Sequence, residues 1–541
     1  MQDICATQQG KAQEPIRKFD FESTGNACHS DRYRNFTDRH EGVTLSETFR
    51  KMVHNGVAIA LLPVVSGCAL PSLSRNTEPV TEATTEPARE PTAAATATVA
   101  PADDAPTAVS EPTVAAAEEA ITTTTTVSTS RILVPTVTPA EATAPAEGDA
   151  AAVSPAAAAV VPPADAVAER LQVPAGFAVR LFAEGLAKPR LMTVGPDGAL
   201  YVADQDAGTV YRLPDADGDG LADSSDVVVD GLPGAHSVEW FDGWLYVAAY
   251  GQVQRVQDAD GDGTYEAQEL VTDNIPGAGG HSTRTLHFGP DGMLYVAAGS
   301  TTNNDPESDA RRATIMRFNP DGSIPADNPF ADSADERRRT VWAEGLRNSV
   351  DFLFLPDGRL WANHNGSDML GNNVPPEEIV INVEGGNHYG WPYCYTPVEG
   401  VVPPGTEEVR DERVELNPEV LASCSEAVPA LFTDLAHYAP LGMAQYTANA
   451  FPAAYQGNLF VAYHGSWNST EPRDCRVQMV VVQDGQPVSS EPFLTGFRES
   501  ESQQCSQAWG RPAGVAVGAD GALYVSDDQN GNIYRVVYVG E

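Results

Sequence analysis

The chain has 541 residues, 75 of them acidic against 33 basic, for a formal net charge of -42. So large an excess of negative charge excludes binding to nucleic-acid phosphates and adsorption to anionic lipid as working modes. Hydrophobic residues make up 42% of the chain, which leaves ample material for a large core.

Residues 1–42 lack the periodicity of helix or strand and read as an uncertain upstream segment, with Val43 or Met52 as candidate initiators. Residues 43–68 read as a lipoprotein-type signal. Arg50 and Lys51 form the positive end, Val57–Val65 the apolar run, and Val65-Ser66-Gly67-Cys68 resembles a bacterial lipobox. The apolar run is too short to span a bilayer. The expectation is cleavage before Cys68, lipidation of its thiol, and an exported protein. It would be held by a lipid anchor alone, on the outer side of the cytoplasmic membrane or in the periplasm. Residues 69–170 are Ala, Thr, Pro, Val and Glu in low-complexity order, which predicts a disordered linker.

Residues 171–541 carry a repeated phrase in which turn residues ending in Asp-Gly or Gly-Asn precede a short apolar strand. It reads GPDGALYVA at 195–203, FDGWLYVAA at 241–249, GPDGMLYVAA at 289–298, LPDGRLWAN at 355–363, QGNLFVAY at 456–463 and GADGALYVS at 518–526. Six copies predict an all-β, six-bladed β-propeller. The blades are expected at 178–213, 227–257, 270–318, 340–383, 430–483 and 491–538, and the first and last segments can share a blade to close the ring. The runs VRLFAEGL, TVYRL, QVQRV, TIMRF, EIVINV and IYRVVYV are expected as outer strands. Insertions at 299–312, 364–377, 384–429 and 498–509 are expected as loops on the faces, where propeller function resides.

Two acidic loops interrupt the early blades. Residues 258–269 fit a calcium-loop pattern, with Asp258, Asp260, Asp262 and Glu269 at positions one, three, five and twelve. Residues 215–226 repeat it with Asp215, Asp217, Asp219 and Asp226. Both are expected to hold structural calcium, because converging carboxylates need a cation. Of seven cysteines, Cys5 and Cys28 lie before the cleavage site. Cys394, Cys424, Cys475 and Cys505 remain, an even number that predicts two disulfides in an exported chain. Three connectivities are open, and the local pairs Cys394–Cys424 and Cys475–Cys505 are expected. No C-x-x-C is present.

The repeat also serves as a ruler. Residues just before each inner strand face the central channel, and there the chain places Arg190, His236, His281, Arg284, Arg347, Asn348 and Arg511. A cationic rim on so acidic a chain predicts an anionic ligand on the axis. His364, His388, His437, His464 and Trp391 are read as loop packing or hydrogen-bonding residues.

The segments GGHSTRTLHFGPDGMLYVAAGS (279–300), GLRNSVDFLFLPDGRLW (345–361), EGGNHYGWPYC (384–394) and GRPAGVAVGADGALYVSDD (510–528) resemble the glucose/sorbosone dehydrogenase family. HGSWN at 464–468 fits its sorbosone and pyranose dehydrogenase branch. The resemblance implies a propeller that binds pyrroloquinoline quinone (PQQ) and calcium and oxidises an aldose or related sugar. Electrons would pass to an external acceptor. It assigns His281 as the base that takes the substrate hydroxyl proton, and Arg347, Asn348 and Arg511 as partners of the cofactor; Arg284, from the rim reading, is expected to join them. The cofactor's calcium would sit on backbone carbonyls at Gly366 and Ser367. A carboxylate expected behind the histidine falls at Ser300, the family lysine has no counterpart, and Ser469 stands where an arginine commonly follows HGSWN, with Arg473 nearby. A calcium-dependent lactonase-type propeller and a non-catalytic binding propeller are the alternatives.

Overall fold

A computed structural model describes residues 168–540. The upstream segment 1–42, the signal 43–68 with Cys68, and the linker up to residue 167 lie outside the described residues. Ala168–Arg170, assigned by composition to the linker, form a 3-10 turn whose Ala168 is buried. No helix among the described residues is long and apolar enough to cross a membrane.

Period-two alternation and frequent glycine turns yield short antiparallel strands, grouped into six sheets around an axis and a small seventh sheet that pairs Cys394–Tyr395 with Val409–Arg410. Blade one comprises Pro189–Val194, Leu200–Asp204, Thr209–Leu213 and Asp226–Val229. Blade two runs from Ser237 to Thr272, blade three from Arg284 to Glu344, blade four from Phe352 to Asp434 and blade five from Pro440 to Leu494. Blade six takes three strands from the C-terminus, Pro512–Val517, Leu523–Asp527 and Asn532–Tyr538, and its outermost strand, Phe177–Ala183, from the start of the domain. Val179 pairs with Val536 in that seam, so hydrogen bonds between the two ends of the domain close the ring.

The blade frame therefore differs from the expected one. The stretch 178–213 straddles two blades, because the first strand completes the last sheet. VRLFAEGL supplies the outermost strand of blade six as expected, whereas TVYRL, QVQRV, TIMRF, EIVINV and IYRVVYV are third strands, not outer ones. The outermost strands, such as Asp226–Val229 and Ala267–Thr272, carry exposed mixed residues whose alternation is too weak to read. Blade four gains a fifth strand, Gly400–Val401, from the 384–429 insertion.

The repeated phrase is the hairpin between the inner and second strands. Its glycines, Gly198, Gly243, Gly292, Gly358, Gly457 and Gly521, all have φ between +74° and +90°, which a β-carbon disfavours. Its aspartates are structural. Asp197 accepts hydrogen bonds from Ala199 N, from Tyr201 Oη on the second strand and from Arg212 Nε on the third, the last at 2.7 Å. Asp291 with Tyr295 and Arg317, and Asp520 with Tyr524 and Arg535, repeat the arrangement. The core lies between blades. Tyr295, Ile315 and Ala343 of blade three pack on Phe352, Leu360 and Ile381 of blade four. Each such aliphatic or aromatic side chain contributes roughly 1.5–3 kcal/mol on full burial.

Both expected disulfides form, Cys394–Cys424 and Cys475–Cys505, with Cα separations of 5.7 and 5.8 Å. The first pins the 384–429 insertion. The second backs the HGSWN loop, where Cys505 N donates to Ser466 O.

Candidate functional site

The inner strands open at Pro189, Ser237, Arg284, Phe352, Pro440 and Pro512, side by side around the axis. The residues singled out by the ruler lie at or just before these starts, so the fold brings segments from across the domain to one rim.

His281 is held by Ser300. The two pair through His281 N to Ser300 O at 2.8 Å, and the imidazole Nδ1 lies 2.9 Å from Ser300 Oγ. The single hydroxyl hydrogen of Ser300 goes to Thr302 O at 2.7 Å. Ser300 Oγ can therefore only accept, which places the ring hydrogen on His281 Nδ1 and leaves Nε2 with a free lone pair. Burial, reinforced by the Arg347 charge, pushes His281 down to about 4. The imidazole is neutral at pH 7, as a base must be. The carboxylate missing at position 300 is thus replaced by a hydroxyl that fixes the tautomer without adding negative charge.

Arg347 is 4% exposed and largely occupied by the protein. Its Nε donates to Asn303 O at 2.9 Å and its Nη1 to Asn365 O at 3.3 Å, while Nη2 bonds Asn303 Oδ1 at 2.9 Å and Asp368 Oδ2 at 3.0 Å. One of its five N–H groups remains. Asn348 is also buried, and its Oδ1 has no hydrogen-bond partner. Gly299 lies against it, and a β-carbon there would stand 2.5 Å from both Asn348 Oδ1 and His281 Cβ. Gly366 and Ser367 follow on the next loop. Glu377 holds that loop, since its carboxylate accepts from Gly366 N at 3.0 Å, His437 N at 3.1 Å and Ala439 N at 3.3 Å. Burial lifts Glu377 to about 7 against the pull of these amides.

Across blades five, six, one and two runs a second network. Asp528 accepts from His464 Nε2 at 2.7 Å and pairs with Arg190 Nη1. Arg190 Nη2 reaches His236 Nε2 at 3.5 Å, and His236 Nδ1 lies 3.3 Å from Thr285 Oγ1 on blade three. Although burial opposes its charge, Asp528 is held well below the usual carboxylate range by His464, Arg190 and Arg511. His464 is pushed down to about 4 and His236 well below its ordinary value, burial being the main cause for each. Arg511 Nε donates to His464 O at 3.0 Å and Nη2 to Gly465 O at 3.3 Å. Its side chain bonds no carboxylate and keeps three N–H groups.

These contacts correct several expectations. The rim is not uniformly cationic, because Arg347 and Arg190 are each paired to an aspartate and the histidines are neutral. Arg511 is the rim guanidinium left for an external anion. Arg284 is fully buried, and its donors go to the carbonyls of Pro276, Gly277, His281 and Thr283. It shapes the loop carrying His281 and offers nothing to a cofactor. In the acidic loops, Asp215, Asp217 and Asp219 converge, as do Asp258, Asp260 and Asp262, each group with one oxygen per residue within 4.8 Å of the others. The twelfth-position ligands do not join them. Glu269 pairs with Arg255, with Nε 2.9 Å away, and Asp226 with Arg212 at 3.1 Å. Both loops lead into strands instead of helices, and each acidic side chain bonds the strand beside it.

Trp391 is buried and donates to Asn303 O at 3.0 Å, a packing role. His364 stands 3.5 Å from Glu378, and burial lifts that carboxyl to about 7. His388 Nδ1 accepts from Gly390 N at 3.1 Å, and His437 Nε2 donates to Gly371 O at 2.7 Å. Sequence reasoning missed Asn303, Asp368, Glu377 and Asp528. They lie in insertions or just past second strands, where no repeat provides a register. Only the doubled Asp527-Asp528 after the sixth copy offered a signal, and Asp527 Oδ1 accepts from the Arg511 amide at 2.8 Å.

The TrAA12-like family model matches residues 171–539. A pyrroloquinoline quinone-dependent pyranose dehydrogenase of Coprinopsis cinerea is 26% identical over 409 residues, covering 68% of this chain and 54% of that protein. The aldose sugar dehydrogenase YliI of Escherichia coli is 26% identical over 263 residues, covering 48% of this chain and 60% of that protein. The chain thus spans little more than half the length of these curated relatives. The holo pyranose dehydrogenase PQQ domain of Coprinopsis cinerea shares the fold, with a TM-score of 0.55 at 23% identity over 68% of this chain and 97% of that one. With the six-bladed ring and the rim described, the chain belongs to the TrAA12-like family.

Proposed function

We propose that the protein is a PQQ- and calcium-dependent dehydrogenase that oxidises an aldose or related sugar and passes the electrons to an external acceptor. The observation that carries this reading is the neutral imidazole of His281, with Nδ1–H committed to Ser300 and the Nε2 lone pair open. A planar polycarboxylate quinone suits the neighbouring groups. Arg511 has uncommitted N–H donors, Asn348 has an orphaned buried oxygen, and the bare face of Gly299 lets a group approach both Asn348 and His281. When bound, PQQ supplies a hydride acceptor, and calcium supplies Lewis acidity that polarises it.

The chain's own residues do the rest. His281 Nε2 takes the proton of the substrate hydroxyl as the C–H hydrogen leaves with its electron pair. Arg347, fixed by Asp368 and Asn303, keeps positive charge beside the imidazole and holds it neutral before each turnover. Arg511, with three uncommitted N–H groups, would hold a carboxylate of the cofactor. The carbonyls of Gly366 and Ser367 would hold the calcium, on a loop braced by Glu377. The domain is exported and lipid-anchored at Cys68. Pairing of Asp368 and Asp528 with arginines favours this chemistry over that of a lactonase, which needs axial carboxylates for a metal.

The test is addition of PQQ and calcium to the purified full chain, with reduction of an artificial dye followed across a sugar panel. Quinone binding with sugar-dependent dye reduction is expected; absence of both would overturn the proposal.

A further inference from the structure

Of the seven tryptophans, Trp467 is the one in the exposed class, at 57%; the other six are buried or half-buried. An exposed indole on a loose loop would mean little. This one is presented by a fixed loop. Ser466 is 1% and Ser469 2% exposed. Ser466 Oγ donates to Gln504 Oε1 at 2.6 Å and accepts from Arg473 N at 2.9 Å, and its carbonyl accepts from the half-cystine Cys505. On the other side, Asn468 Nδ2 donates to Asp368 Oδ1 at 3.0 Å, and Asp368 Oδ2 holds Arg347. Trp467 thus stands one residue from a side chain that bonds the partner of Arg347, which lies beside His281. Met369, 72% exposed, follows Asp368 on the facing loop with φ at +70°. Two large apolar side chains therefore flank the Asp368–Asn468 bridge, both left in water by segments ordered on either side.

We infer that Trp467 is a specificity-determining residue, its indole the platform on which the apolar C–H face of a pyranose stacks while the sugar hydroxyl meets His281. The inference rests on the dehydrogenase reading above and adds a residue that the rim does not contain. A pyranose suits an indole because its axial C–H groups form a flat apolar face matching the ring's negative quadrupole face, while its hydroxyls stay in water or on polar neighbours. Trp467 touches no cofactor group in this scheme. It positions the sugar, so it acts on KM before kcat.

The test compares wild type, W467A and W467F as full chains loaded with PQQ and calcium, with KM for sugar and KM for dye measured separately. W467A should raise KM for sugar about 5- to 30-fold with kcat within about threefold, and W467F should restore most of it. A second readout is independent of turnover. Acrylamide quenching of tryptophan emission should fall when sugar saturates the wild type, and sugar should have no such effect in W467F. An unchanged KM for sugar, or a rise confined to KM for dye, would overturn the inference while leaving the dehydrogenase reading intact. Failure of the wild type itself to oxidise any sugar would overturn both.

Discussion

Two imidazoles sit on the same rim and are treated differently. His281 rests on a serine hydroxyl, and its far nitrogen is open. His464 gives its Nε2 to Asp528, which also holds Arg190, and so links blade five to blades six and one. Burial depresses both to about 4. Protonation state therefore does not separate them, and partners do. The imidazole bound to a carboxylate belongs to the ring closure, and the one bound to a hydroxyl is free for a substrate. A carboxylate beside a histidine is not by itself the mark of a base.

The largest effect should come from removing the free imidazole. H281A is expected to lower dye-reducing turnover roughly 10²- to 10⁴-fold while thermal unfolding stays near wild type. H464Q should do the reverse, lowering Tm with a much smaller loss of turnover; equal losses of turnover in the two variants would erase the distinction.

D528N comes next. It removes the charge that pairs with buried Arg190 and accepts from His464, and is expected to cost about 3–5 kcal/mol in denaturant unfolding. The matching change beside His281, D368N, releases Arg347 and Asn468 and should act mainly on turnover.

Acid should weaken the rim as a whole. Folded His281, His388 and His464 lie near 4, below the unfolded value of about 6.5, so the unfolded chain binds more protons between those limits. Their contribution to stability is complete above pH 6.5 and declines as pH falls towards 4, together by roughly a few kcal/mol. His287 behaves oppositely. Burial opposes its charge, but Glu239 at 2.7 Å and Asp351 at 3.0 Å outweigh it and raise it to about 10. Its contribution is complete below pH 6.5 and is lost as pH rises towards 10. Chemical unfolding measured from pH 4 to 10 checks both signs.

The smallest effect tests the hydroxyl itself. S300D supplies the missing carboxylate and should shift the acid limb of kcat/KM upward by about 1–2 pH units. S300A leaves the tautomer unfixed and should cost about tenfold or less in kcat without moving that limb upward. An unmoved limb in S300D would dissociate His281 from the proton transfer.

The six hairpin phrases determined the blade number, because a positive-φ glycine followed by a period-two strand has few other uses. Their spacing also placed His281, Arg347 and Arg511 at inner-strand starts, since position within a repeat is position about an axis. The even cysteine count and short loops were enough to expect both disulfides. Only the tertiary structure decided which charges remain free. Arg284 and Arg347 both lie at or shortly before an inner-strand start, yet one is spent on carbonyls alone and the other is paired to Asp368. Those partners arrive from insertions without register, and a buried guanidinium takes whichever acceptors the packing supplies. The same holds for Glu269 and Asp226, drawn from their loops by Arg255 and Arg212, and for Trp467, whose exposure depends on a loop fixed by a disulfide and by Asp368. Local sequence sets turns and strands because their causes are local; the state of a charge or an indole depends on neighbours that are distant in the chain.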